Sequence, residues 1–405
     1  MISNAMRCAI FASLLGMVAA AQATAEFSGE ATAEARWFVH ATPDPRQDQA
    51  DRSITATLDY FRDWDKTRQR FAVSLRGRVD SDDGERSKWE LDELYWRYQW
   101  RRASISVGVD RVFWGVTEAL HLVDIVNQTD LVESPDGEDK LGQPMLRLTL
   151  SPRWGTWDFF VLPRFRERTF PGRGGRLRGP FRIAADEAQY ESQDGKTHVD
   201  LALRYSHYIG NVEFALSHFS GTDRAPLFVP AIGSNPLAPA RIAPFYYLTD
   251  QTGLETTLVA GNWLWKLEAV SRRDPLAGRY GAATGGFEYS FYGIGGTNSD
   301  LGVIAEYQYD SRNDPLNGFA NGAFDDDLVL GARWALNDFA GSEVLLLVSR
   351  DLANNGQLAS LEASRRLNND WRVALEARQF SADTPADPLL LFDREDYWQL
   401  SITRF

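Results

Sequence analysis

The chain has 405 residues, 12% of them aromatic, with 13 Trp, 32 Gly and a formal net charge of −13, yet its mean hydropathy is only −0.35. So acidic a balance excludes a nucleic-acid partner on bulk electrostatics. The single cysteine, Cys8, falls in an N-terminal leader, which excludes a disulfide scaffold, a thiol nucleophile and a cysteine-ligated metal from the rest of the chain.

Residues 1–25 read as a secretory signal peptide. Arg7 is a short basic region, Cys8–Ala21 is apolar, and Ala23, Thr24 and Ala25 form a small-x-small cleavage site. The apolar run of about 14 residues falls short of the ~20 that a membrane-spanning helix needs. Cys8 sits at the start of that run rather than its end, which argues against a lipoprotein. Residues 26–405 then form one domain. Without Arg7 its charge is 42 − 56 = −14.

From Phe27 to Val39 the odd positions are apolar or small and the even positions are mostly polar, the period of a one-sided strand. Ile54, Ala56, Leu58 and Tyr60 repeat the pattern. So do Phe71, Val73 and Leu75, with Arg76 and Arg78 on the other face. Leu94 to Trp100 and Ala103 to Val109 follow.

The alternation then stops. Val112 to Pro144 has the look of a short helix or a folded-in loop. Thr117 is placed as an N-cap, with Glu118 in the first turn, where the helix dipole favours an acid. Seven acids lie from Glu118 to Asp139 (Glu118, Asp124, Asp130, Glu133, Asp136, Glu138 and Asp139) and no Lys or Arg lies among them. A calcium site at Asp130–Asp139 is a weaker option, because the spacing is not that of an EF-hand loop. No metal and no cofactor is expected.

Alternation resumes at Leu146–Leu150 and Trp157–Val161. A second long connection carries Arg164, Arg166, Arg168, Arg173, Arg176, Arg178 and Arg182 among several glycines. It reads as a mobile basic loop able to attract anionic solutes or bridge lipopolysaccharide phosphates, since guanidinium suits both. Val199–Tyr205 and Val212–Leu216 are strands. Phe219–Gly253, with five prolines, reads as a semi-rigid surface loop. Leu254–Ala260, Trp263–Ala269, Phe287–Phe291, Leu301–Tyr307, Leu328–Trp334, Val344–Val348, Ala359–Ala363, Trp371–Ala377 and Trp398–Ile402 complete the series.

About 18 strands result, with 16 as the alternative count, mostly near ten residues, the length that crosses a bilayer when tilted. Connections alternate short and long, so short turns fall on one rim and long loops on the other. A soluble sandwich would bury its alternating face against a second sheet. It would need neither such charged opposite faces nor Trp and Tyr recurring near strand ends. The reading is an all-β, transmembrane, antiparallel up-and-down barrel with short periplasmic turns and long extracellular loops.

The chain ends in Phe405. Such a terminus, on this strand pattern, resembles Gram-negative outer-membrane porins and related barrels, over the whole chain after the leader. The resemblance implies an outer-membrane location, outer-membrane lipid and lipopolysaccharide as surroundings, the barrel-assembly machinery as a partner, and a monomer or homotrimer. One departure stands out: the apolar residues of the last strand have the opposite parity to Phe405, so either its last residues bulge or the terminal signal is a variant.

Parity places Arg36, Arg76, Arg78, Arg97, Arg147, Arg204, Lys266, Arg272, Arg333, Arg372 and Arg378 toward the lumen, with Glu30, Glu34, Asp59, Glu213, Glu268, Glu288, Glu306 and Glu376. For any one of them solvation is the plainer role. In porins the third long loop folds into the barrel, and Val112–Pro144 follows the fifth strand, so it is the third. Glu118, His121, Asp124, Asp130 and Glu133 are then candidates for a constriction facing the wall bases Arg76, Arg78, Arg97, Arg204, Arg333 and Arg372. The alternative is a loop packed over the rim. The expected function is a channel for small polar or anionic solutes, and not an enzyme: the five histidines sit in no nucleophile motif, although His207 and His218 could approach across a short turn. The runner-up is a non-transport barrel that binds lipopolysaccharide or an envelope partner through its long loops.

Overall fold

A computed structural model describes residues 24–42, 44–231, 241–312, 326–385 and 387–405. The leader, except its last two residues, and Pro236 and Pro239 of the proline-rich loop lie outside the described residues, as does nearly all of the connection from 313 to 325.

The strands in chain order are β1 (Thr24–Phe38), β2 (Ala50–Trp64), β3 (Gln69–Asp80), β4 (Trp89–Gln99), β5 (Ala103–Asp110), β6 (Gln143–Leu150), β7 (Thr156–Leu162), β8 (Arg182–Ile183), β9 (Gln189–Tyr190), β10 (Asp200–Ile209), β11 (Val212–Thr222), β12 (Leu227–Pro230), β13 (Arg241–Tyr246), β14 (Leu248–Ala260), β15 (Trp263–Asp274), β16 (Gly278–Phe291), β17 (Asp300–Asp310), β18 (Asp326–Ala335), β19 (Glu343–Asp351), β20 (Gln357–Arg366), β21 (Trp371–Ser381) and β22 (Tyr397–Arg404). Eighteen of them form one antiparallel sheet, and β1 pairs with both β2 and β22, so the sheet closes on itself. Closure leaves no unpaired edge, which is what strands in lipid require.

The outward face is the apolar one. Leu58, Trp96, Val107, Leu216, Trp265, Leu330, Leu346 and Leu400 are all exposed on it. Aromatic residues ring the short-turn rim: Trp100, Trp154, Tyr208, Trp263, Phe291, Trp334 and Trp371. Such rings hold at the lipid–water interface, where the aromatic body is buried and its polar edge stays wet. Two-residue turns at Gly210–Asn211 and Gly261–Asn262 contrast with the long connections 111–142, 163–199 and 223–247 on the opposite rim.

Two local features depart from simple alternation. In the sequence Trp89–Trp96 the apolar positions slip by one residue, and the β3–β4 register shifts between Ser74 and Leu75. This bulge turns both Glu90 and Asp92 inward, and Asp92 then receives Arg76 at 3.2 Å. In β22 the register is unbroken from Tyr397 to Arg404. Trp398, Leu400 and Ile402 face lipid and Gln399 faces in, so the parity mismatch with Phe405 is not caused by a bulge. Phe405 lies beyond the strand, its N–H donating to Asp370 O.

The long loops are more ordered than their composition implies. β12 and β13 pair antiparallel, and β13 also pairs parallel with β8 and β9 of the preceding loop. The proline-rich connection, expected as a surface loop, is therefore half of a small second sheet. Pro230 ends β12, and Pro244 sits in β13 opposite Phe228. Pro230 is at a strand end, and Pro244 falls in the gap between the residues that pair with β8 and those that pair with β9, where no ladder donor is needed on that side.

Candidate constriction and lumen

The segment Arg111–Gly142 leaves the wall between β5 and β6 and turns inward. At its base Val112 N–H donates to Asn127 Oδ1 at 3.0 Å, and Asn127 Nδ2 donates to the carbonyls of Asp110 and Leu141. One face is apolar. Trp114 packs edge-on against Phe160 of the wall, 5.7 Å between ring centres, and Val123, Ile125 and Val126 are almost wholly buried beside Met145 and Phe219. This contact presses the loop against β6, β7 and β11.

The tip reaches the far wall. Val116 and Thr117 N–H donate to Glu268 Oε1 of β15 at 2.7 and 3.1 Å, and Val123 N–H donates to Oε2 at 3.2 Å. Glu118 and Ala119 N–H donate to Glu306 of β17 at 2.7 and 3.1 Å. From β5 to β17 is eight steps round the 18-strand ring (β6, β7, β10, β11, β14, β15, β16, β17), nearly opposite.

Of the short helix and the folded-in loop expected here, the structure has the loop: no residue of 111–142 is helical. The reason is visible at Thr117. Its hydroxyl lies 2.6 Å from Leu120 O and 2.7 Å from Glu268 Oε1, and the neighbouring backbone donors are satisfied by wall carboxylates instead of by the next turn. Gly115 makes the approach possible. Its φ is 143°, and a Cβ there would sit 2.8 Å from His121 Nδ1 and 3.1 Å from Glu268 Oε1.

Each of the five loop candidates has a counter-charge. Glu118 meets Arg333 at 2.6 Å and Lys266 at 3.3 Å. Burial alone would raise its pKa, but these two cations hold it below the usual glutamate value. His121 lies 3.3 Å from Glu138 and 3.7 Å from Glu268. Burial works against its charge, yet the two carboxylates prevail and its pKa rises to about 10. Asp124 faces Lys140 at 3.2 Å, and burial raises its pKa. Asp130 is fully buried between Lys88 at 2.6 Å and Arg76 at 3.8 Å. Glu133 bridges Arg76 at 3.3 Å and Arg78 at 2.9 Å. A fifth acid along the loop, Asp136, meets Arg378 of β21 at 2.8 Å. Partial burial, with Glu133 and Asp136 close by, pushes the pKa of Asp139 up to about 6.

Of the wall bases, Arg76, Arg78 and Arg333 meet the loop. Arg97, Arg204 and Arg372 do not. Arg97 lines a recess of about 310 Å³ at the short-turn rim with Arg101, Arg102 and Arg147. Arg204 pairs with Glu255, and Arg372 Nη2 donates to Ser364 Oγ at 2.8 Å. Parity identified Glu268, Glu306 and Arg378 as inward but not as loop anchors. Lys88 and Lys140 escaped notice because they lie in connections, where no period points to a face.

The arginine loop is not a free basic tether. Arg166 pairs with Glu90, Arg176 with Glu395 and Arg178 with Asp44. Arg168 Nε donates to Gln128 Oε1 at 3.4 Å, within the 111–142 segment. Arg176 also stacks over Phe38, 4.4 Å from the ring centre. The glycines serve close packing: Gly172 N–H donates to the Asp83 carboxylate at 2.9 Å. Arg164 and Arg173 remain exposed.

At the calcium candidate, Asp130 and Asp136 already hold Lys88, Arg76 and Arg378. Among the described residues the carboxylates that come close enough to share a cation are Asp51, Asp80 and Asp82, and Arg86 already bridges the first two. His207 and His218 are apart: His207 pairs with Phe214 near the short turn and His218 with Leu203 further along.

Between the loop, the inner face of strands β15 to β21 and parts of the 163–199 and 223–247 connections lies a cavity of about 670 Å³. Glu118, His121, Asp136 and Glu138 line its loop side, and Leu345, Leu347, Leu358 and Arg378 its wall side.

No protein-family model matches the chain, and no curated protein matches it in sequence. Solved structures do match in shape. The chain is similar to Wzi of Escherichia coli, an outer-membrane protein involved in group 1 capsule assembly and described as a carbohydrate-binding β-barrel: TM-score 0.53, 8% identity, 93% of this chain and 83% of that one. It also superposes on OprB of Pseudomonas putida, with TM-score 0.45, 12% identity and 94% of each chain. A third match is a mutant of the Rhodopseudomonas blastica porin, with TM-score 0.44, 13% identity, 94% of this chain and 100% of that one. At such identity the likeness concerns the fold alone, a closed β-barrel like that of Wzi.

Proposed function

We propose that the protein is an outer-membrane channel of a Gram-negative bacterium, exported by its cleavable leader, that admits small polar or anionic solutes past the 111–142 loop. One observation carries this reading. A 32-residue connection crosses the barrel interior and is pinned at both ends of its span, leaving a cavity beside it. A loop that merely capped the rim would have no reason to spend its backbone donors on Glu268 and Glu306, deep on the far wall. Ion pairs fix the loop's height and leave a mixed, hydrated surface, as lumen-lining charges do where they tune selectivity.

The loop's carboxylates act chiefly as struts. Selectivity then follows from where the struts leave charge: Arg97, Arg101 and Arg102 at the short-turn rim, in a recess whose described lining holds one carboxylate, Asp110, give the inner mouth a positive bias toward anions. Lipid and lipopolysaccharide surround the barrel in this reading, and the assembly machinery inserts it. Reconstitution in planar bilayers is the test: a stable, anion-biased current supports the channel, and a silent, correctly folded barrel removes it.

A second reading keeps the barrel closed and makes the long loops a binding surface for a saccharide or an envelope partner. The small sheet of β8, β9, β12 and β13 favours it, since ordered outer loops suit recognition better than free passage. Wzi, with its reported carbohydrate binding, is a precedent on this fold. A silent barrel that retains lipopolysaccharide on a column would select this reading.

A further inference from the structure

Water-filled barrels carry polar residues on the inner face, and most strands here obey that rule. β19 does not. Its run Val344–Val348 is apolar without a break. Leu346 and Val348 are 43% and 39% exposed on the lipid face, so Leu345 and Leu347 point into the lumen. The patch extends across strands. The inward row Val329, Ser349, Leu358 and Phe380 runs from β18 to β21, one rung from Leu347. Gly331, the cross-strand neighbour of Leu347, leaves the space that this side chain fills: a Cβ there would meet Leu347 Cδ2 at 2.4 Å. Phe380 and Leu358 pack with Phe392 and Leu177, and these four together with Leu345 and Leu347 border the 670 Å³ cavity.

The charged rim of this patch is already neutralised. Arg333 holds Glu118, Arg378 holds Asp136 and Glu362, Lys140 holds Asp124, and His121 faces Glu138. An ion entering here would have to break one of these pairs in a confined, low-dielectric space. A neutral solute would not. One apolar face would cover the leucines, and hydroxyls on its other face would share hydrogen bonds with the paired carboxylates and guanidiniums. The size fits, since small-molecule pockets span roughly 300–1,000 Å³ and combine apolar walls with a few placed polar groups.

We infer that the β18–β21 side of the cavity beside the 111–142 loop is a binding site for an uncharged, hydroxylated solute with one apolar ring face, contacted by Leu345, Leu347 and Leu358. The inference rests on the channel reading for its place in transport, but binding at the site stands or falls separately.

Phenyl β-D-glucoside is the probe and glucose its control. Titrated calorimetrically into the detergent-solubilised full chain, the aryl glycoside binds saturably and glucose binds at least several-fold more weakly. Leu345→Asn with Leu347→Asn abolishes that preference, and Leu345→Met with Leu347→Met keeps it. Equal binding of the two sugars by the wild type, or no binding of the aryl glycoside, overturns the inference even if the asparagine variant does not fold. Full preference retained in a folded asparagine variant overturns it as well. Arabinose entry into proteoliposomes is followed in parallel. No arabinose entry with intact aryl-glycoside preference sinks the channel reading and keeps the site; entry without preference does the reverse.

Discussion

Glu268 shows how one wall residue can set the position of a loop. It accepts three backbone N–H groups and lies in reach of Thr117 Oγ1, with no exposure to solvent. Hydrogen bonds to a charged acceptor contribute about 1.5–3 kcal/mol each. Glu268→Gln removes the charge and aims an amide N–H at a backbone donor. It is expected to weaken loop anchoring by at least about 2 kcal/mol, seen as a noisier open-channel current with the barrel's strand content unchanged by circular dichroism. His121 gives a pH signature. Its pKa is raised above the ordinary histidine value of 6.5 to about 10. Its favourable contribution is therefore full below pH 6.5 and is lost as pH rises through 10. The wild type should lose melting temperature between pH 6.5 and 10 relative to His121→Gln; parallel curves for the two would show that the imidazolium carries no such load.

At the scale of elements, the loop is a tied beam. Asp130 and Glu133 hold one side to β3 through Arg76 and Arg78, while Glu118 and Asp136 hold β18 and β21. Removing one partner of a buried pair costs about 3–5 kcal/mol, because the other charge is left uncompensated. Asp130→Asn would strand Lys88 and part of Arg76. The expected outcome is a shift of the reversal potential in a KCl gradient toward anion preference, with a lowered melting temperature; an unchanged reversal potential would mean that the buried charge of Asp130 is not felt along the conducting path. Much of this element was legible. The loss of alternation after Val112 marked a segment leaving the wall, and its acids marked where bases would be met. The helix was misjudged because Thr117 and Glu118 make an equally good N-terminus on paper. Only the folded barrel shows that Glu268 and Glu306 compete for the same donors. The arginine loop was misjudged for a related reason: the acids that absorb Arg166, Arg176 and Arg178, namely Glu90, Glu395 and Asp44, lie far away in sequence.

For the whole molecule, strand period and the alternation of short and long connections sufficed to indicate a closed barrel of about 18 strands, with 16 left as the other count, because each lipid-facing side chain is constrained by the same physics. The second sheet of β8, β9, β12 and β13 was not legible. Its strands are two to six residues long, two are parallel partners from another loop, and no period develops over so few residues. The inner leucines of β19 were visible as the unbroken run Val344–Val348, but a run that faces both ways points to no single face. What unites these parts is a barrel whose interior is divided by one pinned loop. The most direct measurement is single-channel conductance in planar bilayers for the wild type and for a variant in which residues 117–139 are replaced by a short Gly–Ser bridge. A conductance several-fold larger in the shortened variant, with loss of the wild-type ion preference, is the predicted result. Equal conductance and equal preference in the two would contradict the placement of the constriction in this loop.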